Sequence, residues 1–374
     1  MPKSIEEINR KIENGTAVIL TAGEMTDLVT EQGVKKAARQ VDVVTTGTFG
    51  PMCSSGLLIN TGHSSPRINY REATLNGVPA YCGIAAVDLF LGATAQSETR
   101  CYGGGHVIED LVSGRTVHLD AGGHGTDCYP RRELSTSFSI STIASAELTN
   151  FRNAYQNYNV AVNCSEREIQ TYLGVLRPSC ANAGFSGSGE FSPLINDPYF
   201  RTIGTGTRIF LGGGTGWITG PGTQHSSNPR RSPNGVPMEG AGTISVRGDL
   251  RGMNPGFLRG VWIKGYGVSL SVGVGIPIPI LDEEMARFTG VSDGEILAPV
   301  VDYSSDYPEN GGKILGHVSY RDLYSGEITV QGKRTKTFSL SNRRKGEEVA
   351  GELKNWIEKK EFFLTSPSEV FEAV

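Results

Sequence analysis

The chain opens on an apolar stripe at helical spacing. Ile5, Ile8 and Ile12 recur every three to four residues, Ser4 with Glu7 forms a capping box ahead of them, and Gly15 stands where a helix stops. Ala17 to Leu20 then reads as a short buried strand, and Thr21 with Glu24 opens a second helix by the same device. Residues 34 to 39 read as helical again, and Val41 to Val44 is a second strand that runs into Thr45-Thr46-Gly47-Thr48-Phe49-Gly50-Pro51-Met52-Cys53. Strands that alternate with helices and end in glycine-rich turns predict an α/β start to the fold.

From about residue 60 the pattern shortens. Strands are predicted at Arg67 to Tyr70, Val78 to Cys82, Thr116 to Leu119 and Ser135 to Ile140, with helical intervals near Thr142 to Leu148 and Ser165 to Leu173. Between about 184 and 280 glycine and β-branched residues dominate, as in Arg208 to Leu211 and Val268 to Val272, which predicts a mainly β region. Val349, Leu353, Trp356 and Ile357 return at helical spacing, so a last helix packs back on the body. The expected class is mixed α/β (α+β): an N-terminal α/β portion, a glycine-rich mainly β centre and a C-terminal packing helix. The chain reads as one catalytic unit, 1–374, subdivided as 1–150 with both motif cysteines, 151–300, and 301–374, with a surface loop at 304–312.

Composition adds restraint. In 374 residues, 38% are hydrophobic, 20% are charged and 49 are glycine, as in a loop-rich globular protein that folds without disulfide staples. A net charge of -4 argues against nucleic acid as the main partner. The basic runs Lys333 to Lys336 and Arg343 to Lys345 read as a solvated strand edge and helix start, or else as a docking patch for an acidic protein. The N-terminus lacks the apolar core of a signal peptide and no stretch has the roughly 20 apolar residues of a membrane span, so a cytoplasmic location and no membrane partner are expected. There the six cysteines (Cys53, Cys82, Cys101, Cys128, Cys164, Cys180), spread singly, are thiols.

The densest chemistry lies at His118, Asp120, His124, Asp127, Cys128, Arg131 and Arg132, a glycine-rich loop after a strand. Arg131, Arg132, a protonated His124 or a helix starting after Cys128 would raise its thiolate fraction, making Cys128 the first choice of nucleophile. A metal site at His118, His124 and Cys128 competes, but the spacing matches no familiar zinc pattern. The second constellation, Gly47 to Gly56, offers Cys53 as an auxiliary thiol beside amides able to hold an anion, and Arg67 after Gly62-His63 can take a carboxylate bidentately. Gly103-Gly104-Gly105-His106 and Gly212-Gly213-Gly214 suggest phosphate cradles but lack the dinucleotide spacing, so tight turns are favoured there. Cys82 reads as core, and Cys101, Cys164 and Cys180 receive no role.

The Thr45 to Gly56 stretch, Gly103-Gly104-Gly105-His106, Gly123-His124-Gly125-Thr126-Asp127-Cys128-Tyr129-Pro130-Arg131-Arg132, the glycine-rich 204–225 block and Gly273 to Pro279 resemble the archaeal and anaerobe homocysteine-biosynthesis proteins, the L-aspartate semialdehyde sulfurtransferases. The resemblance implies sulfur incorporation at the aldehyde carbon of aspartate semialdehyde to give homocysteine, with a persulfide on Cys128 and Cys53 assisting. Beside it, the residues offer His124 or His106 as acid, and Arg131, Arg132, Arg67, Thr48 and Ser54 as substrate-binding groups. The chain has no iron–sulfur ligand spacing, so no bound cofactor is expected, and the resemblance implies electrons from a ferredoxin-like iron–sulfur partner. A homo-oligomer is expected. The competing readings are a noncatalytic metal- or nucleotide-binding module and a cysteine-dependent transferase acting on another small acid.

Overall fold

The computed structural model describes residues 2–305, 307–309 and 311–371, so Asp306 and Asn310 of the 304–312 loop lie outside the described residues. At the N-terminus the capping signals act as the sequence suggests. The helix Ile5–Asn14 starts under Ser4 Oγ, which accepts the Glu7 N–H at 3.1 Å, and stops at Gly15 in the left-handed region with φ 71°. The helix Ala22–Gln32 carries a full capping box from Thr21 and Glu24, and Val34–Gln40 follows it. These two helices connect the parallel strands Ile19–Thr21 and Val43–Thr45, and Pro277–Pro279 adds a third, antiparallel strand. Beside this sheet the buried Asp42 takes Lys3 and Lys11 at 3.0 and 2.8 Å and the Val18 N–H at 3.0 Å.

The rest is mostly β, a mixed α/β whole as expected. A nine-stranded sheet runs through Leu258–Ile263, Gly267–Gly275, Arg208–Leu211, Gly214–Pro221, Ile244–Asp249, Ser145–Asn153, Ser55–Asn60 and Asp88–Gly92, with Thr48–Pro51 pairing Gly267–Gly275 from the side. A six-stranded sheet holds Lys313–Ser319, Leu297–Asp302, Val160–Val162, Asn182–Phe185, Lys333–Ser339 and Glu327–Val330 in that order. The two sheets straddle positions 150 and 300, because each draws strands from both sides of one of them. Val117–Gly122 and Glu133–Phe138 belong to a separate four-stranded sheet.

Three expected elements change. Thr142 to Leu148 is not helical: Ser145–Asn153 is a strand in which Ala146, Leu148 and Asn150 are buried at alternate positions, so sheet burial overrides the local helix preference. Ser165 to Leu173 is not helical either. It contains one arm of the hairpin Ile169–Thr171 and Gly174–Leu176, turned at Tyr172 and Leu173 with Gly174 at φ 93°. Arg67 to Tyr70 forms no strand, although Ile68 and Tyr70 are buried. The expectation that all six cysteines are thiols also falls: a disulfide joins Cys164 to Cys180, with Cα atoms 4.8 Å apart, and closes the loop that carries this hairpin.

Two glycine motifs serve close packing. A Cβ on Gly104 would stand 1.9 Å from the Gly92 carbonyl oxygen, and one on Gly105 2.2 Å from that of Ser269, so the helix Gly104–Val112 lies on the sheet at a distance only glycine permits. Gly212 and Gly213 form the turn of the hairpin Arg208–Leu211 and Gly214–Pro221. The C-terminal helix Arg343–Glu358 buries Val349, Leu353 and Ile357 completely and sets Trp356 against Phe210 at 4.9 Å between centroids. Its Gly346 carbonyl presses on Gly47, where a Cβ would lie 2.1 Å away, and this fixes the strand leading to Cys53.

Candidate functional site

Thr48–Pro51 hydrogen-bonds along Gly267–Gly275 and ends at Pro51, so Met52, Cys53 and Ser54 form the turn into Ser55–Asn60. The half-buried Cys53 Sγ sits 3.2 Å from Ser269 Oγ on the neighbouring strand. Burial first, and then the adjacent Cys53, push Tyr266 up to about 12.

Cys53 opens into a cavity of about 140 Å³, which suits a small molecule. Thr48, Ser54, Arg152, Tyr155, Tyr158 and Tyr172 are among its lining, and Ser186 and Ser341 complete the polar wall with their hydroxyls 2.9 Å apart. The last four enter from the six-stranded sheet's side chains and connections, facing the Cys53 turn across the gap. Arg152 is the one charged side chain of the lining. It comes from the end of Ser145–Asn153, just before Ala154 and Asn157, which take left-handed backbone at φ 48° and 44° and turn the chain over the cavity. Among the described residues its guanidinium has no hydrogen bond and no carboxylate partner, and its charge is felt by Tyr155, Tyr158 and Tyr266. A cation so placed attracts an anion, and its planar fork matches a carboxylate.

Of the residues singled out in the sequence, Cys53, Thr48 and Ser54 meet in this cavity, and the others do not line it. Cys128 is exposed in the loop between Val117–Gly122 and Glu133–Phe138, with its Sγ 3.5 Å from Thr126 Oγ1. A strand, not a helix, follows it, because residues 133–138 pair with Val117–Gly122, so no helix N-terminus faces its thiol. His124 is exposed on the same loop, and the Arg132 stem lies over Gly125. Arg131 donates to the Ser65 carbonyl at 2.9 Å, and Arg67 is exposed nearby, its carbonyl accepting the Arg131 N–H. His118 is held between Asp120 and Ser137, each at 3.1 Å. Among the described residues no three His, Cys, Asp or Glu side chains gather as a metal site. His106 Nδ1 accepts the Gly103 N–H at 3.2 Å and its ring stacks on Tyr102, while burial lowers its pKa.

Arg152, Tyr155, Tyr158 and Tyr172 were missed in the sequence. The one available signal was three tyrosines within eighteen residues beside an arginine, with no acidic residue between Arg152 and Tyr158.

A half-buried thiol and an unpaired guanidinium thus share one small cavity. The family model described as homocysteine biosynthesis enzyme, sulfur-incorporation, matches residues 17–364. A Methanosarcina acetivorans protein named L-aspartate semialdehyde sulfurtransferase is 47% identical over 372 residues, covering 98% of this chain and 71% of that protein. A Methanocaldococcus jannaschii protein of the same name is 46% identical over 380 residues, covering 97% and 72%. An uncharacterized protein of Methanothermobacter thermautotrophicus is 29% identical over 340 residues, covering 88% and 73%. No solved structure matches the chain. The chain belongs to this family of homocysteine-biosynthesis enzymes, and it is a sulfurtransferase. No helix among the described residues is long and apolar enough to cross a membrane.

Proposed function

We propose that the chain incorporates sulfur into L-aspartate semialdehyde to give L-homocysteine, and that the carbon–sulfur bond forms in the Cys53 cavity. The observation that carries this is the pairing of Cys53 with Arg152 in one small space. Arg152 takes the substrate carboxylate, the Thr48 and Ser54 hydroxyls supply hydrogen bonds, and the aldehyde is left toward Cys53. The substrate named for two of the matching relatives has this shape, a carboxylate a few atoms from an electrophilic carbonyl.

Counted from sulfide, the aldehyde plus hydrogen sulfide, two electrons and two protons gives the thiol and water. A persulfide sulfur requires two further electrons to cleave its S–S bond. Those electrons come from a separate reductant, for which a ferredoxin-like iron–sulfur protein is the partner of choice. Cys128, exposed on its loop, takes up sulfur from a donor as a persulfide, while Cys53 acts where the carbon is held. The test is product formation from aspartate semialdehyde, sulfide and reductant with Cys53→Ala and Cys128→Ala proteins that melt as wild type. Loss with Cys53→Ala supports the assignment, and full activity of that variant refutes it.

A further inference from the structure

The cavity lining holds no histidine, carboxylate or lysine, so the proton that the aldehyde oxygen needs on sulfur attack must come from a hydroxyl or thiol. The tyrosines are linked. Tyr172 Oη lies 2.5 Å from Tyr158 Oη, 2.8 Å from Tyr303 Oη and 3.0 Å from Tyr307 Oη. A phenol has one proton to give and two lone pairs to receive, so three hydroxyl neighbours saturate Tyr172. Tyr158 has Tyr172 as its one hydroxyl neighbour among the described residues and also lines the cavity.

One direction of donation satisfies every member. Tyr303 and Tyr307 donate to Tyr172, Tyr172 donates to Tyr158, and the Tyr158 proton is free to point into the cavity. We propose that Tyr158 is the proton donor to the substrate oxygen, and that Tyr172, Tyr303 and Tyr307 form a hydroxyl relay that strengthens it. This rests on the substrate assignment above. In the step, the sulfur of hydrosulfide, supplied free or by reduction of the Cys128 persulfide, forms a bond to the aldehyde carbon and the π pair moves to oxygen. That oxygen takes the Tyr158 proton to give a hemithioacetal, and Tyr158 is reprotonated through Tyr172 and Tyr307 from solvent. No oxidation state changes in this addition, and the later two-electron reduction is a separate step.

The surroundings suit the role. Burial, partly offset by the Tyr172 hydrogen bond, holds the Tyr158 pKa up to about 12, and burial raises Tyr172 and Tyr303 further. All stay protonated at neutral pH as donors, and Arg152 favours negative charge developing on Tyr158. Tyr303 stacks on Tyr307 with centroids 3.8 Å apart, which holds the outer end of the relay. The disulfide Cys164–Cys180 closes the loop from which Tyr172 projects.

The experiment compares wild type with Tyr158→Phe and Tyr303→Phe, all checked for unchanged melting. The relay predicts a kcat about 100-fold lower for Tyr158→Phe with KM changed less than about threefold, and a kcat several-fold lower for Tyr303→Phe. A calorimetric arm uses L-homoserine, which bears an oxygen where the aldehyde oxygen sits, against L-2-aminobutyrate, which lacks it. Wild type is expected to prefer homoserine about tenfold and Tyr158→Phe to lose that preference. Unchanged kcat, or a preference kept in Tyr158→Phe, overturns the relay alone. Wild-type protein that binds neither ligand and makes no product overturns the substrate assignment and the relay with it.

Discussion

The two motif cysteines occupy opposite kinds of ground. Cys53 is half-buried at the end of a strand, beside Ser269, and lines a cavity with one cation, five serine or threonine hydroxyls and a bank of tyrosines. Cys128 is exposed on a glycine-rich loop, with the Thr126 hydroxyl beside its thiol and the Arg131 side chain turned to the Ser65 carbonyl. Making a bond to carbon requires a substrate held in register and partly shielded from water, which the first place offers. Collecting sulfur from a donor requires reach, which the second offers. The same chemical group thus suits two different tasks according to what surrounds it.

The sharpest way to break this contrast is to remove each thiol in turn. Cys53→Ala is expected to lower product formation at least about 1,000-fold with any sulfur source, since the thiol beside the bound aldehyde is lost. Cys128→Ala is expected to cost activity with a persulfide-donating protein yet stay within about twofold of wild type with excess free sulfide. Assays with both donors check this, and equal losses with both would erase the distinction between the two sites.

Arg152→Met comes next. Losing a charge-assisted pair of hydrogen bonds, worth about 2–3 kcal/mol, should raise KM for the carboxylate substrate about 30- to 150-fold, while Arg131→Met and Arg132→Met on the Cys128 loop leave KM near wild type. Steady-state kinetics on the three variants decides which region holds the substrate.

The disulfide sharpens the comparison through stability. Cys164→Ser with Cys180→Ser opens a loop of about 16 residues and should lower unfolding free energy by about 3 kcal/mol in denaturant melts. Hydrogen exchange should rise around Tyr172 and the cavity and stay unchanged at the Cys128 loop.

The smallest effect belongs to Asp42, beside the three-stranded sheet, which lines no part of the cavity. Burial raises the Asp42 pKa, but hydrogen bonds from Lys11, the Val18 N–H and Lys3 outweigh it, and the net shift is downward. A carboxyl whose folded pKa is depressed stabilises the fold above its unfolded pKa, and that contribution fades as pH falls through the folded value. Asp42→Asn should therefore flatten the acid side of the stability profile, from about pH 4 downward, without changing alkylation of either cysteine.

How much of this was legible in the sequence follows from how local each feature is. The helix starts at Ser4 and Thr21 are decided by side chains three residues apart, and both stand as read. The Cys53 turn was legible as a strand followed by a glycine-rich break. The cavity was not, because Arg152, Tyr158, Tyr172, Tyr303 and Tyr307 come from segments up to 155 positions apart that only the sheet order brings together. Gly104 and Gly105 suggested a phosphate cradle or, in preference, a tight turn, because a tight loop and a tight helix–sheet contact call for the same residue. The strand Ser145–Asn153 read as a helix because Ala, Glu and Leu favour helix locally, whereas its partners Ser55–Asn60 and Ile244–Asp249 lie about 90 to 100 residues away in sequence.

The central claim is that substrate is held at Cys53 and not at Cys128. Alkylation by iodoacetamide, followed peptide by peptide with and without saturating L-aspartate semialdehyde, tests it directly. The account predicts that substrate slows modification of Cys53 at least about tenfold and leaves the Cys128 rate unchanged. Protection of Cys128 with Cys53 still reacting at its free rate would contradict it.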